Sequence, residues 1–250
     1  MALPGADAFE RAGLKAWPGV EVEWDGHWVR RAANGYTQRA NSVQSFDPDD
    51  EDEAPSRIRA AADWFVSRGI RPTFRVTPQA GPRVVAALDA AGWRSVDDSH
   101  LFAMELGSMD PDPRGRIYEL LDPIFLRAQQ RLRGYSDEKL ALLVAVLKSV
   151  DGPGRGIVVF TPDNEPAASA LMAIGDGIVI TGNVITDPAQ RRQGYAAAMM
   201  RTGLAWAREA GATIAALNVA ADNGAAQALY SGLGYRRMYD YAYRTPQVAR

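Results

Sequence analysis

The sequence contains no cysteine and only two histidines among its 250 residues. This composition excludes disulfides, thiolate metal sites and cysteine nucleophiles. The histidines, His27 and His100, lie far apart without metal-ligand spacing, so we expect no metal site. The first residues include no apolar signal segment, and no stretch approaches the ~20 apolar residues that span a membrane. We therefore expect a cytoplasmic protein without a membrane partner.

An excess of charge of one sign is also lacking. Lysine and arginine total 28 and aspartate and glutamate total 30, which gives a formal net charge of -2. A chain so nearly neutral has no general attraction for nucleic acid, so any site for a polyanion must be local. The length suits one large domain or two of ordinary size, and the composition leaves the oligomeric state open.

The most informative segment begins with an apolar strand over residues 178–186, which breaks at Pro188. Helical spacing of apolar residues then predicts a helix over residues 195–210, with Gly211 placed for a left-handed C-terminal cap. The first N–H groups of a helix have no partner within it, and the helix dipole favours an anion there. The residues at this start combine positive charge with little bulk and predict a pyrophosphate site: Arg191, Arg192, Gln193, Gly194, Tyr195 and Ala196.

A second motif follows a predicted strand over residues 213–219. It opens with Asn223, and helical geometry places Asn223, Ala226 and Tyr230 on one face. Asn223 also suits a helix N-cap, and Tyr230 also suits a core position between a helix and a sheet. Both interpretations stay open beside a ligand contact.

Together the two motifs resemble the GNAT superfamily of acetyl-CoA-dependent N-acetyltransferases. The order of the motifs and the single strand between them make the resemblance specific for the class of acetyl donor. The resemblance gives no information about the acceptor. The pyrophosphate signature is matched by Arg191, Gly194 and Ala196. The later signature is matched by Asn223, Ala226, Leu229, Tyr230, Gly234 and Tyr235.

The resemblance implies a mixed α/β fold whose central sheet splays to admit the cofactor acetyl-CoA. Backbone groups of Val184, Ile185 and Thr186 are then expected to line the thioester, and backbone amides from Arg191 to Ala196 to hold the pyrophosphate. Tyr230 is expected to be the catalytic acid, since a phenol with a pKa near 10 can protonate a departing thiolate whose own pKa is about 8.5.

Three questions stay open at this stage. No general base is evident, because the strand over residues 178–186 carries no aspartate or glutamate. The acceptor is an unidentified amine of a small molecule, peptide or protein, and we expect it in the cleft between the two copies described next. The alternative function is an acyl-CoA sensor or scaffold without catalysis.

The chain also resembles itself at an offset of 142 positions, without a gap. This period is too long for a solenoid and predicts two tandem GNAT-like domains, residues 1–110 and 111–250, each with a splayed mixed sheet flanked by helices. The linker is expected within residues 107–115, which include two prolines and two glycines. The aligned pairs include Trp64 with Trp206, Gly69 with Gly211, Gly92 with Gly234, and Trp93 with Tyr235.

In this alignment the first copy lacks the chemistry of the second. Gly81 stands opposite Asn223, and Leu88 stands opposite Tyr230. We therefore predict that only residues 111–250 bind acetyl-CoA. The run that replaces Arg191 to Gly194 is acidic and consists of Asp49, Asp50, Glu51 and Asp52. We interpret this acidic run as a solvated turn before a helix, with attraction for a cationic acceptor as the alternative.

Periodicity predicts the remaining elements. The first copy is expected to have strands near residues 28–32, 37–45, 73–76 and 100–106, with helices over 55–68 and 82–92. Two further helical segments are expected over 117–132, interrupted at Pro123, and over 137–150. Tyrosines 235, 239, 241 and 243 alternate along the C-terminal strand, which predicts one shared face that is half-buried or lines the acceptor pocket.

Overall fold

The computed structural model describes residues 2–247, which form one mixed sheet of eleven strands with seven α-helices. The strands are β1 (Glu21–Asp25), β2 (Trp28–Ala32), β3 (Val43–Ser45), β4 (Phe74–Val76), β5 (Trp93–Glu105), β6 (Gly115–Tyr118), β7 (Gly154–Phe160), β8 (Pro166–Gly175), β9 (Ile178–Thr186), β10 (Ile214–Ala220) and β11 (Arg236–Pro246). The helices are α1 (Ala6–Ala16), α2 (Ala54–Val66), α3 (Pro82–Ala90), α4 (Pro123–Arg133), α5 (Asp137–Lys148), α6 (Tyr195–Glu209) and α7 (Gly224–Gly232). The expected α/β class is confirmed.

The two halves of the chain exchange strands within this sheet. The order is β1-β2-β3-β4-β11-β5-β10-β9-β8-β7-β6. The last strand, β11, lies antiparallel between β4 and β5, and β5 lies antiparallel between β11 and β10. Each half therefore contributes its last strand to a place beside the strands of the other half. The domain boundary near residue 110 stays a prediction.

Two pairs of neighbouring strands run parallel and then separate. β9 and β10 pair from Ile178 and Ile214 to Thr181 and Leu217, and the rest of β9 continues past the last paired residue. β3 and β4 are joined at a single parallel pair. The splayed sheet that the resemblance implies is therefore present, and the gap opens at the carboxyl ends of β9 and β10.

The offset of 142 positions relates equivalent elements of the two halves. α3 spans residues 82–90 and α7 spans residues 224–232, so both bounds differ by that offset. Gly69 and its aligned Gly211 both have positive φ, at 65° and 96°, and Gly92 and Gly234 have 76° and 100°. Glycine adopts this conformation without the steric penalty of a side chain, so these residues mark equivalent turns.

Residues of each strand alternate between the two faces of the sheet, and helices pack on both faces. On one face Val179 and Leu217 pack with residues of α6. On the other face Ile180 and Ala216 pack with Phe9 and other residues of α1. α1 belongs to the first half of the sequence and covers strands of the second half. No helix within residues 2–247 combines the length and apolarity needed to cross a membrane.

The expected strand over residues 37–45 is wrong at its start. A 3-10 helix, Gln38–Ala40, precedes β3, because the Thr37 side chain accepts a hydrogen bond from the Ala40 N–H and stabilises the turn. The expected strand near residue 100 begins at Trp93. The sequence patterns give no range for α1, β1 or β7. α1 and β1 precede the first strand that the sequence predicts, and β1 alternates acidic and apolar residues over only five positions, which is a short signal.

The expected helix over residues 117–132 is a strand followed by a shorter helix. β6 ends at residue 118, and α4 begins at Pro123 with the Asp122 side chain as its N-cap. The Asp122 carboxylate accepts a hydrogen bond from the Ile124 N–H at 2.7 Å. Proline suits the first position of a helix, so Pro123 begins α4 rather than interrupting it.

The C-terminal tyrosines do not share one face. A β-bulge in β11 between Arg237 and Tyr239 adds one residue and reverses the alternation beyond it. Tyr235 packs in the core on the α6 side of the sheet. Tyr241 and Tyr243 instead line a cleft on the other side. That this cleft takes the acceptor stays a prediction.

Candidate active site

The connections after β9 and β10 bring the two sequence motifs to one edge of the sheet. β9 leads through a 3-10 helix, Pro188–Gln190, to α6, and β10 leads through Asn223 to α7. The carboxyl ends of neighbouring parallel strands lie at the same edge, so the starts of both helices flank the splayed gap. The Asp187 carboxylate accepts a hydrogen bond from the Ala189 N–H and fixes the first of these turns.

The start of α6 leaves backbone amides without hydrogen-bond partners in the helix. Its N-cap is Gly194, in the left-handed conformation with φ 78°, and no described side chain caps it. The first helical hydrogen bond joins the Ala198 N–H to the Gly194 carbonyl at 2.9 Å, so the N–H groups of Tyr195, Ala196 and Ala197 have no partner within the helix. Unpaired amides at the positive end of a helix dipole form an anion site.

Three arginines surround this helix start. Arg191 and Arg192 are exposed, as the loop before α6 requires for contact with a ligand. The third is Arg114, whose guanidinium carbon lies 5.7 Å from the centroid of the Tyr195 ring and whose Nη1 donates to the Gln193 carbonyl at 3.5 Å. Arg114 lies 79 residues from Gln193, in the predicted linker, so no sequence motif signals it.

β9 carries a β-bulge where it leaves β10. Between the β8 pairs of Gly182 and Ile185, Asn183 and Val184 oppose a single residue. Asn183 has a positive φ of 49°, which asparagine tolerates better than most residues. Val184, Ile185 and Thr186 are half-buried beyond the last pair with β10. This position fits the thioester-lining role that the resemblance implies for them.

α4 holds the backbone of the bulge in place. The buried Gln129 donates from Nε2 to the Asn183 carbonyl at 3.2 Å. Arg133 donates from Nη2 to the Val184 carbonyl at 3.0 Å. Neither residue belongs to a recognisable motif, because the contact depends on how α4 packs across β8 and β9. The two side chains position the strand segment that is predicted to face the thioester.

α7 combines a capped start with a buried phenol. The Asn223 side chain accepts a hydrogen bond from the Ala226 N–H at 3.1 Å, which establishes it as the N-cap. Ala226 is half-buried against the core. Tyr230 is 4% exposed, and its ring centroid lies 6.0 Å from that of Tyr235. Burial raises the pKa of Tyr230 to about 12, so the phenol keeps its proton at neutral pH.

A cleft of about 280 Å³ lies where β9, β10, β5 and β11 meet, and both halves of the chain line it. Asn183 and Asn218 line it from β9 and β10, and Asn218 follows the last pair between these two strands. The cleft therefore borders the splayed gap. Side chains of the first half complete the wall: Trp17, Thr37, Gln38, Arg39, Asp97 and Ser99.

A buried ion pair lies behind this cleft. Arg75 Nη2 and Glu10 Oε1 are 2.9 Å apart, and both side chains are 3% exposed. The Tyr239 hydroxyl donates to Glu10 at 2.6 Å, and the Arg75 guanidinium carbon lies 3.5 Å from the Tyr241 ring centroid. Burial opposes ionisation of Glu10, yet the charge and hydrogen bonds of Arg75 hold the pKa of Glu10 below its usual range.

A second buried guanidinium, Arg31, is 2% exposed beside this pair. It donates to three neutral oxygens at 3.3 to 3.4 Å, those of the Trp17 carbonyl, Ser42 and Gln44. Burial lowers the pKa of Arg31 to about 10, so the group is still charged at neutral pH. The wall behind the cleft is therefore positively charged.

Comparison with known proteins identifies related acetyltransferases. A family profile described as probable histone acetyltransferase Rv0428c C-terminal matches residues 6–244. The probable histone acetyltransferase Rv0428c of Mycobacterium tuberculosis is 30% identical over 126 residues, which cover 50% of this chain and 39% of that relative. The uncharacterized N-acetyltransferase YobR of Bacillus subtilis is 22% identical over 241 residues, which cover 94% of this chain and 96% of the relative.

Solved structures share the fold. A GCN5-related N-acetyltransferase from Kribbella flavida aligns with a TM-score of 0.72 and 19% identity over 99% of this chain and 98% of its own. A tandem GNAT protein from the clavulanic acid biosynthesis pathway aligns with a TM-score of 0.64 and 11% identity, over 84% of this chain and 76% of its own. The match over residues 6–244 shows that the chain belongs to the Rv0428c C-terminal family of acetyltransferases, which are acyltransferases of the GNAT kind.

Proposed function

We propose that this protein transfers the acetyl group of acetyl-CoA to a primary amine. The observation that carries the proposal is the uncapped start of α6, whose free amides lie beside the gap between β9 and β10. Acetyl-CoA supplies an acetyl group activated as a thioester. The amides of Arg191 to Ala196 would hold its pyrophosphate, and the exposed Arg191 and Arg192 add positive charge there, whereas the nearby Arg114 is already paired with Asp112 at 2.9 Å.

Tyr230 is the proposed proton donor to the departing thiolate. Its pKa of about 12 keeps the phenol protonated, and burial holds the ring in one place. Asn223 and Ala226 fix the first turn of the helix that carries it. The departing thiolate, whose conjugate acid has a pKa of about 8.5, is a weaker base than the Tyr230 phenolate, so the phenol acts first as a hydrogen-bond donor to the sulfur, and complete proton transfer requires Tyr230 to be reprotonated.

The acceptor amine is proposed to enter the cleft between the halves. An alkylammonium with a pKa of about 10.4 must lose a proton before it attacks. Asp97, on β5, is the carboxylate among the described residues that line the cleft, and we propose that it takes this proton directly or through water. The name of the mycobacterial relative keeps a protein amine among the acceptors to be tested.

We further propose that the two halves are tandem copies of one unit and that only residues 111–250 bind the donor. Titration calorimetry with acetyl-CoA should saturate near one equivalent per chain. The melting temperature should rise, since a ligand at about 100 times its Kd adds ~2.7 kcal/mol to a native state that alone binds it. NAD and ATP should shift it less. Equal shifts from all three would indicate generic anion binding, and a second equivalent of similar affinity would contradict the single site.

Catalysis is tested by release of free CoA thiol with a panel of amines. The panel should include amino acids, polyamines, aminoglycosides and a lysine-containing peptide. We expect at least one amine to accelerate thiol release, with the acetylated amine identified by mass. Binding of acetyl-CoA without acceleration by any class would favour a sensor.

A further inference from the structure

The wall behind the cleft carries more positive than negative charge. Three guanidinium groups, those of Arg31, Arg39 and Arg75, line one small cavity together with a single carboxylate, that of Glu10. Glu10 is already bound by two hydrogen bonds from Arg75, at 2.9 and 3.0 Å. The remaining two guanidiniums have no ion-pair partner among residues 2–247.

Two atoms of these guanidiniums are also unpaired. The Nε atoms of Arg31 and Arg39 are buried and make no hydrogen bond with any described residue. Buried donors without partners are rare because each loses its hydrogen bonds to water and gains none within the protein. Arg39 lines both the small cavity and the open cleft, and the cavity behind it is too small for more than a water molecule. An anion in the cleft would therefore meet the Arg39 guanidinium first.

We propose that the acceptor is a small amine that also carries a carboxylate, an amino-acid-type molecule whose carboxylate binds Arg39. This inference rests on the proposed acetyl transfer. A guanidinium matches a carboxylate through two parallel hydrogen bonds, and the buried charge of Arg31 strengthens the attraction. The carboxylate would supply the charge that the wall of the cleft lacks.

The size and the position of the cleft support a small molecule. At about 280 Å³ the cleft lies just below the 300 to 1,000 Å³ that hold drug-sized ligands. Asn183 and Asn218 add amide groups to its lining, and Arg39 Nη1 lies close to Gly182 of β9. A carboxylate on Arg39 would therefore leave the amine of a short molecule beside the splayed gap. A protein lysine has no carboxylate of its own to fill this place.

The proposal is tested with matched acceptors. Each of a panel of L-amino acids is compared with its C-terminal amide in the thiol-release assay. The best acid should exceed its amide by about ten- to a hundredfold in kcat/KM, because a hydrogen bond to a charged group contributes about one to two factors of ten. Arg39→Gln should reduce this ratio to near one, and Arg39→Lys should retain part of it. Arg59→Gln, an exposed arginine of the same half, is the matched control and should keep the full ratio.

A binding measurement separates this inference from the proposed function. N-acetyl amino acids, as product mimics, should bind the wild-type protein in calorimetry more tightly than N-acetyl amino acid amides, and Arg39→Gln should remove the difference. Acetyl-CoA should bind Arg39→Gln as it binds the wild type. Equal transfer to acids and amides, with acetylation intact, would overturn only the carboxylate site. Weaker acetyl-CoA binding by Arg39→Gln would place Arg39 in the donor site and overturn the inference as well.

Discussion

α2 and α6 begin at equivalent places in the two halves but offer an anion different surfaces. At α2 the Ala54 N–H donates to the Glu51 carbonyl at 3.3 Å, Pro55 has no N–H, and the Ser56 N–H donates to the Glu53 carbonyl at 3.0 Å. At α6 the first three helical amides have no such partners within the helix. At this position the chain's own carbonyls thus bind the first amides of α2, whereas the first amides of α6 have no partner within the helix.

Side chains of the acidic run also bind other parts of the chain. Asp50 forms an ion pair with Arg57 at 2.8 Å, and the hydrogen bonds from Arg57 hold the pKa of Asp50 below its usual range. Glu51 Oε1 accepts the Arg83 N–H at 2.7 Å and so caps α3. A Cβ on Gly81 would lie 2.0 Å from that same oxygen, which explains glycine there. These two carboxylates bind the protein itself, so they are more than the solvated turn that the sequence predicts.

Residues of both halves line the cleft. Arg39 and Asp97 line the cleft from the first half, and Asn183 and Asn218 line it from the second. In our proposal the second half holds the donor, and the first half recognises the acceptor. The predictions below test this division of roles.

The largest effect is expected at the proposed proton donor of the second half. Tyr230→Phe keeps the ring that packs near Tyr235 and removes the hydroxyl. Transfer should slow by about 100- to 10,000-fold, the usual contribution of general acid catalysis. Steady-state and single-turnover rates measure it, and acetyl-CoA affinity should be unchanged. The aligned first-half residue, Leu88, is the matched control: Leu88→Met should leave the transfer rate near that of the wild type. A Tyr230→Phe variant as fast as the wild type in single turnovers would make Tyr230 a core residue.

The second effect concerns the buried ion pair of the first half, Glu10 with Arg75, to which Tyr239 of the second half also donates a hydrogen bond. Glu10→Gln leaves Arg75 buried without its counter-charge, and loss of one partner of a buried pair typically costs about 3 to 5 kcal/mol of stability. Urea unfolding measures the change. Glu21→Gln, which breaks an exposed pair with Arg68, should cost at most about 1 kcal/mol. A single unfolding transition is expected, since Tyr239 of β11 and Arg75 of β4 share the same carboxylate.

The same pair predicts a pH dependence. The pKa of Glu10 is lower in the folded protein than its unfolded value near 4.5, so the unfolded state binds the proton more tightly. The stabilisation from Glu10 is therefore complete above that unfolded value and is lost as the pH falls through the lower folded value. Glu10→Gln should be less sensitive to acid below pH 4.5 than the wild type. An equal slope of stability against pH in both proteins would contradict this.

A smaller effect is expected at the phosphate loop. Arg191→Glu reverses a charge beside the free amides of α6 and should weaken acetyl-CoA binding by about ten- to a hundredfold at low salt, with less effect at high salt. Arg208→Glu, exposed in the last turn of the same helix, is the matched control and should keep nearly wild-type affinity. Calorimetry at two salt concentrations measures both. Equal affinities of the two variants would remove the loop from the donor site.

The sequence predicts some elements of each half and misses others. Strand β9, helix α6 and helix α7 follow their predicted ranges because strong hydrophobic periodicity and glycine stops coincide there. The roles of Arg114, Arg39 and Arg133 depend on long-range packing, and no local pattern encodes it. The bulge in β11 likewise follows from pairing with β5, which the sequence does not reveal.

The smallest effect is expected when one feature of the start of α2, its proline, is introduced at the start of α6. Pro55 is the second residue of α2, and Ala196 is the second residue of α6. Ala196→Pro should leave α6 intact, because proline is tolerated in the first turn, but it removes one free amide. Loss of one neutral donor to a phosphate should weaken acetyl-CoA binding by about three- to tenfold.

The reciprocal variant gives this prediction its control. Pro55→Ala restores an amide to α2, yet Asp50 and Glu51 still surround that helix start, so the stoichiometry should stay near one and the affinity unchanged. Calorimetry measures both variants, and circular dichroism checks their helix content. If Ala196→Pro keeps its helix and its full affinity, the amides of α6 do not hold the pyrophosphate. The contrast between the two helix starts would then have no bearing on which half binds the donor.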